Sequence, residues 1–396
     1  MADSSSEFRT QWSEPSDTFS LLLLLGGDVI QTALATPQTP VAFSFGWVAY
    51  AVTAMLASIG RASRPPSPKI ASSIINLANG WVASNESWLL GQIVGYYDLW
   101  KPSEVNAAVE NPKTFRDEEE SIPFEDHKAP LCIAVYKWSF ERGRQPGIPR
   151  RDWVWWSGPL ITIVQLGISA IPFALYHYWG VFLITVCGTI LSYVLSILPT
   201  RVQLSRRYPH RNIALTEGNG SQHVIIILGD SRGLDLFDLA RNYSPNSAPI
   251  KAFKFVLGVL WIALLITSTG IKTHTWFLLA VGGLGMAQNL LLAAMPRHPD
   301  ALGIPLELAR RETTEPGKER LHDEKALVFA EQRTMWTLME LELESKGFGK
   351  ALLFTFFHGN LAAWEAEWWE SLERPRRIQL LRDAKERWRK QILARR

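Results

Sequence analysis

Cysteine is almost missing from this chain of 396 residues, where Cys132 and Cys187 are the whole complement. Two thiols so far apart cannot form a disulfide framework, and they are too few for a cysteine-rich structural zinc site. Charge is thin too. Charged residues make up 20% and the formal net charge is +3, against ~25% charged in ordinary soluble domains. The common chemical signatures are absent. There is no G-x-G-x-x-G after a strand, the lone GLG at 283–285 lying inside an apolar run, and no P-loop lysine, G-x-S-x-G elbow or H-E-x-x-H. The eight histidines include no i,i+4 pair. Dinucleotide, P-loop and common zinc chemistry therefore have no sequence support, and no cofactor or metal is expected. Disorder is excluded by a hydrophobic content of 47% with 17 Trp and 18 Phe to bury.

What is present is long uncharged runs. Between Asp152 and Arg201 there are 48 residues with no charge unless His177 is protonated. A bilayer span takes ~20 such residues, so this stretch supplies two, at 157–176 and 181–199. Trp155, Trp156, Tyr176, Tyr178 and Trp179 fall at their ends, where amphipathic rings favour the headgroup layer. Three further runs meet the same test, at 41–60, 255–271 and 275–295. The expected fold class is an all-α integral membrane protein of five spans, with a small mixed segment in its loops. Residues 19–35 are too short and too polar to cross, and read as an interfacial or re-entrant helix.

Arginine and lysine set the orientation. Arg61, Arg64 and Lys69, then Arg142 to Arg151, Arg201 to Arg211, Lys251 with Lys254, and Arg297 with Arg310 and Arg311 all fall on one side of a five-span chain. The expectation is a lumenal or extracellular N-terminal tail over 1–40, a cytosolic C-terminus, and residence in the endoplasmic reticulum. No cleavable signal peptide is expected, since no basic segment precedes the first apolar run.

Three cytosolic segments follow, 61–154, 200–253 and 297–396. In the first, the acidic run Asp117–Glu120 reads as a solvated loop, and Ser84 as the cap of a helix from Asn85 to Asp98. In the second, His223–Leu228 reads as a short buried strand ended by Gly229-Asp230, with a helix from Leu234 to Ala240. The turn makes Asp230 a candidate ligand-binding acid. In the third, residues 373–396 hold ten basic and three acidic residues in an amphipathic helical pattern broken by Pro375. Such a tail suits anionic headgroups or recruitment of soluble enzymes. Nucleic acid is excluded as a partner, because the basic stretch is short, terminal and attached to a membrane protein.

Polar groups at membrane depth are costly and so are the better site candidates. Asp28 and Gln31 lie one turn apart in the first amphipathic segment, Gln165 in the second span, Gln288 and Asn289 in the fifth, and His177 at the lumenal turn. Bundle cohesion is the plain alternative for these groups. Asp28 and Gln31 are the preferred catalytic pair, since a carboxylate at the lipid boundary needs a partner. Pro172 should kink the second span, while Gly282, Gly283 and Gly285 permit close packing in the fifth.

The stretch from Leu21 to Arg61, with NGWVASNESWLLGQIV (79–94) and GNGSQHVIIILG (218–229), resembles a family of uncharacterised multi-pass membrane proteins of filamentous fungi, many encoded in secondary-metabolite gene clusters. The resemblance covers scattered parts of the first 300 residues. It implies a membrane-embedded enzyme or enzyme-complex component that assists cyclisation of a lipophilic polyketide-derived intermediate. The family's acidic and glutamine pair corresponds to Asp28 and Gln31, and no catalytic motif carries across. A metabolite exporter and a non-catalytic scaffold for soluble biosynthetic enzymes are the other readings. Visible inverted repeats and an ATP-binding motif, which an exporter would favour, are absent.

Overall fold

The computed structural model describes residues 26–35, 39–59, 67–112, 128–141, 143–197, 208, 210–241, 248–311 and 326–394. The Asp117–Glu120 run and residues 1–25 lie outside them.

Eight-residue β3 (Leu131–Trp138) is buried along its length except at Lys137. A strand apolar on both faces needs cover on both, and it gets neighbours on both edges as well. On one edge it pairs in parallel with β5 (His223–Ile227). On the other it pairs antiparallel with β6 (Leu306–Leu308) at its C-terminal end and with β7 (Val328–Glu331) at its start. β4 (Ile213–Thr216), β1 (Ser73–Asn76) and β2 (Trp81–Ser84) continue antiparallel beyond β5, so the order is β2-β1-β4-β5-β3-β6 with β7 also on β3. The molecule is therefore largely helical but carries a seven-stranded mixed sheet, and this corrects the all-α expectation. The cause is physical. The strands are three to eight residues long and mostly buried, and a short apolar run has no period that separates strand from helix.

Alternation along the strands builds two cores. Ile74, Ala134, Tyr136, Leu215 and Ile225 face one way, against α3 (Trp88–Gly95), α5 (Ser103–Glu110) and α8 (Leu236–Ala240). Ile75, Ile133, Val135, Ala214 and Ile226 face the other, against α11 (Thr334–Glu344), α12 (Phe348–Phe356), α13 (Ala363–Glu370) and α14 (Arg374–Leu393). The expected helix from Asn85 starts later, after Ser87, because Ser84 ends β2. Pro375 sits in the first turn of α14, where its missing N–H costs nothing. Leu380 and Leu381 of α14 are buried in this second core and Ala384 is buried beside them, and Lys385 reaches the carboxylates of Glu331 and Glu340 at 3.2 and 3.1 Å.

The second body is a bundle. α6 (Trp153–Tyr176), α9 (Ala248–Thr269) and α10 (Thr275–Ala294) are long and apolar enough to cross a membrane. α7 (Gly180–Ile197) is slightly shorter. The 41–60 run differs from its expectation. Residues 39–44 form neither helix nor strand, and α2 begins only at Gly46, ending at Ile59. Its 14 residues give ~21 Å of helix, short of a ~30 Å hydrocarbon layer. α1 (Gly27–Ala35) packs on α2 and α10.

Candidate functional site

Residues 39–45 thread the bundle as unwound chain, and their backbone groups cannot be left bare there. Side chains satisfy them. Gln288 Oε1 accepts from the Ala42 N–H at 3.0 Å, and the Ala42 carbonyl accepts from Asn289 Nδ2 at 3.3 Å and from the Trp47 indole at 2.9 Å. Gln165 Nε2 donates to the Phe43 and Val281 carbonyls at 2.8 and 2.7 Å. Asn289 Nδ2 also donates to Ser44 Oγ at 2.9 Å. Gly285 and Gly158 make room, since a Cβ on either would overlap the carbonyl oxygens of Phe43 and Pro40 respectively. Trp261 stacks on Trp47 and Phe43 with centroids 5.8 and 6.1 Å apart. The sequence candidates Gln288 and Asn289 are thus brought together, and they are spent on holding backbone.

A partly buried ion pair closes the mouth of this segment. The Arg297 guanidinium donates to both Asp152 oxygens at 2.9 and 2.6 Å and to Thr39 Oγ1 at 2.9 Å. Asp152 also caps α6 by accepting the Trp155 N–H. One site therefore ties the start of α6, the chain just past α10 and the inserted segment together.

The other sequence candidates lie apart. Asp28 is exposed in the first turn of α1, and among the described residues it forms no ion pair. Gln31 is half-buried one turn on. His177 caps the far end of α6 in the left-handed region, with φ 53°. Asp230 stands in the turn after β5, its Oδ1 accepting the Arg232 N–H at 2.8 Å. Asp235 is buried as the cap of α8 and accepts from the Asp238 and Tyr208 N–H groups; burial raises its carboxyl above the ordinary value, against the Arg211 charge 3.8 Å away. These acids serve turn and cap geometry.

A cluster that sequence reasoning missed forms on the sheet. α4 (Tyr97–Trp100) lays Tyr97 and Trp100 over β3, and the Tyr97 and Tyr136 hydroxyls share a hydrogen bond of 2.9 Å. Lys101 donates to Asp98 Oδ1 at 2.6 Å and stands 3.4 Å from His223 Nε2. Aromatic rings wall the group: Tyr97 lies 5.1 Å from His223, and Trp100 lies 5.3 Å from Tyr136 and 6.2 Å from His298. Burial, and then the Lys101 charge, lowers the His223 pKa, so the imidazole is neutral near pH 7. With Nε2 facing the ammonium as acceptor, Nδ1 carries the proton, and it is buried with no partner. The hydrogen bond from Lys101 holds Asp98 below the carboxylate range. Burial raises both tyrosines and pushes Cys132, across from His223 in the β3–β5 register, up to about 12. An ammonium donor, a neutral imidazole and an orphaned N–H thus sit within one aromatic frame. Its residues come from four separate segments, and no spacing could have joined them.

The cluster adjoins the bundle through His298, which follows the locking Arg297. Among the described residues no group of His, Cys, Asp and Glu could hold a metal ion. No family model matches the chain, and neither does any curated protein or solved structure.

Proposed function

We propose that the protein is a membrane-embedded enzyme, or the membrane component of an enzyme assembly, that works by acid–base chemistry on a lipophilic biosynthetic intermediate. The observation that carries this reading is the Lys101–His223 pair inside its aromatic frame, beside the end of an apolar bundle. A bilayer concentrates a lipophilic substrate, and aromatic walls next to the hydrocarbon boundary can hold it folded for ring closure. Lys101 would turn its ammonium from His223 to donate to a developing oxyanion, and the His223 Nε2 lone pair it leaves free would take the proton. The fungal resemblance of the sequence suggests a polyketide-derived intermediate and residence in the endoplasmic reticulum.

In this reading α6, α7, α9 and α10 cross the bilayer as two hairpins. Residues 39–59 replace the first expected span with a segment that dips in and returns, and the sheet domain is cytosolic. The test is complementation. In producing cells lacking the gene, the wild-type chain should restore the metabolite profile, while Lys101→Met and His223→Gln should each leave product at least about tenfold lower, in keeping with the usual worth of an acid–base group. Full restoration by both variants would refute the assignment. Unwound chain at mid-depth favours a second reading, an exporter; product flux across vesicles would then depend on the protein and survive both substitutions.

A further inference from the structure

Along α6 the exposed side chains Trp153, Trp156, Leu160 and Ile163 recur at steps of three and four, forming one outward stripe. Immediately before them stand Arg150 and Arg151, both exposed. The Arg151 guanidinium lies over the Trp155 ring, 4.7 Å from its centroid, which keeps the charge at the first turn of the helix. Neighbouring carboxylates do not cancel this charge. Asp152 gives both oxygens to Arg297. Asp300, which feels Arg150, is buried and already faced by Arg144 at 3.2 Å and by His298 at 3.6 Å. Among the described residues Arg151 forms no ion pair.

We propose that this corner binds an anionic phospholipid, with the phosphate held by Arg150 and Arg151 and an acyl chain lying along Trp156, Leu160 and Ile163. The proposal rests on the membrane reading above. Guanidinium suits a phosphate through paired N–H donors, tryptophan marks the headgroup level, and the apolar stripe continues the site into the hydrocarbon. A lipid seated here would sit on the helix that Asp152 caps, next to the mouth of the inserted segment.

The experiment places the full chain in nanodiscs of phosphatidylcholine with phosphatidylglycerol and counts the lipids that stay bound by native mass spectrometry. Wild type should retain phosphatidylglycerol preferentially. Arg150→Gln/Arg151→Gln should lower that preference by about fivefold for each arginine removed. Arg150→Lys/Arg151→Lys should keep a reduced preference, and Lys272→Gln, at the far turn, should keep all of it. Equal retention of the two lipids by wild type, or an unchanged preference in the double glutamine variant, overturns the proposal alone. A chain that does not enter the discs overturns the membrane reading with it.

Discussion

His223 is held neutral by its surroundings, and the sign of the consequence follows. Its folded pKa lies below the unfolded value of about 6.5, so the unfolded chain takes up the proton first as pH falls. The stability tied to it is present above that value and is lost as pH drops toward the folded pKa. Thermal unfolding in detergent micelles should therefore weaken from pH 7 to pH 5, and His223→Gln should flatten that slope; an identical slope would show that His223 is not the group responsible. Asp152 and Arg297 form a pair in which the guanidinium is enclosed and the carboxylate half-buried. Asp152→Asn strands a nearly inaccessible guanidinium and should cost about 3–5 kcal/mol, read as a fall in unfolding temperature well beyond that of an exposed control such as Asp28→Asn.

Among the elements, the unwound segment 39–45 with α2 separates hydropathy from topology. Thr39 bonds Arg297 just past α10, at the end where α6 begins, and Phe43 packs by Gly285 and Trp261 in mid-bundle. α2 then runs back, placing Ala51 and Met55 beside Gly258, closer to the start of α9, and the chain rejoins the sheet at β1. A run of uncharged residues reads the same whether it crosses or turns back, so the sequence showed a span. The clue it offered was the cluster Gln165, Gln288 and Asn289, whose amides were legible as needing partners, though not as needing backbone. A single cysteine at Gln38 should react with an impermeant maleimide from the same side as one at Lys69; labelling from opposite sides would restore a true span. Gly285→Ala should cost about 1–3 kcal/mol by displacing the Phe43 carbonyl, whereas Gly283→Ala, with open space around its Cβ, should be neutral in the same unfolding assay.

For the whole molecule, the apolar helices were legible and the sheet was not. Residues 157–176 and 275–295 lie close to the bounds of α6 and α10, because length and lack of charge are local properties. The sheet is non-local. β1 pairs with β4 across α6 and α7, and β3 meets β6 across α6, α7 and α9–α10. Only His223–Ile227 was readable as a strand, and the Lys101–His223 cluster that depends on its pairing stayed hidden with it. Strands from 73–84, 131–138, 213–227 and 306–331 share this sheet, so the segments before α6, between α7 and α9, and after α10 belong on one side of the bundle. In a variant freed of Cys132 and Cys187, cysteines at Asn76 and Ile213, which face each other across β1 and β4, should join on mild oxidation in intact membranes. Fragments cut by protease between α6 and α7 would then stay linked until reduced, and Asn76 paired instead with a cysteine at Trp179 should give no link. Fragments that separate without reductant in the Asn76–Ile213 variant would contradict the shared sheet and the one-sided arrangement built on it.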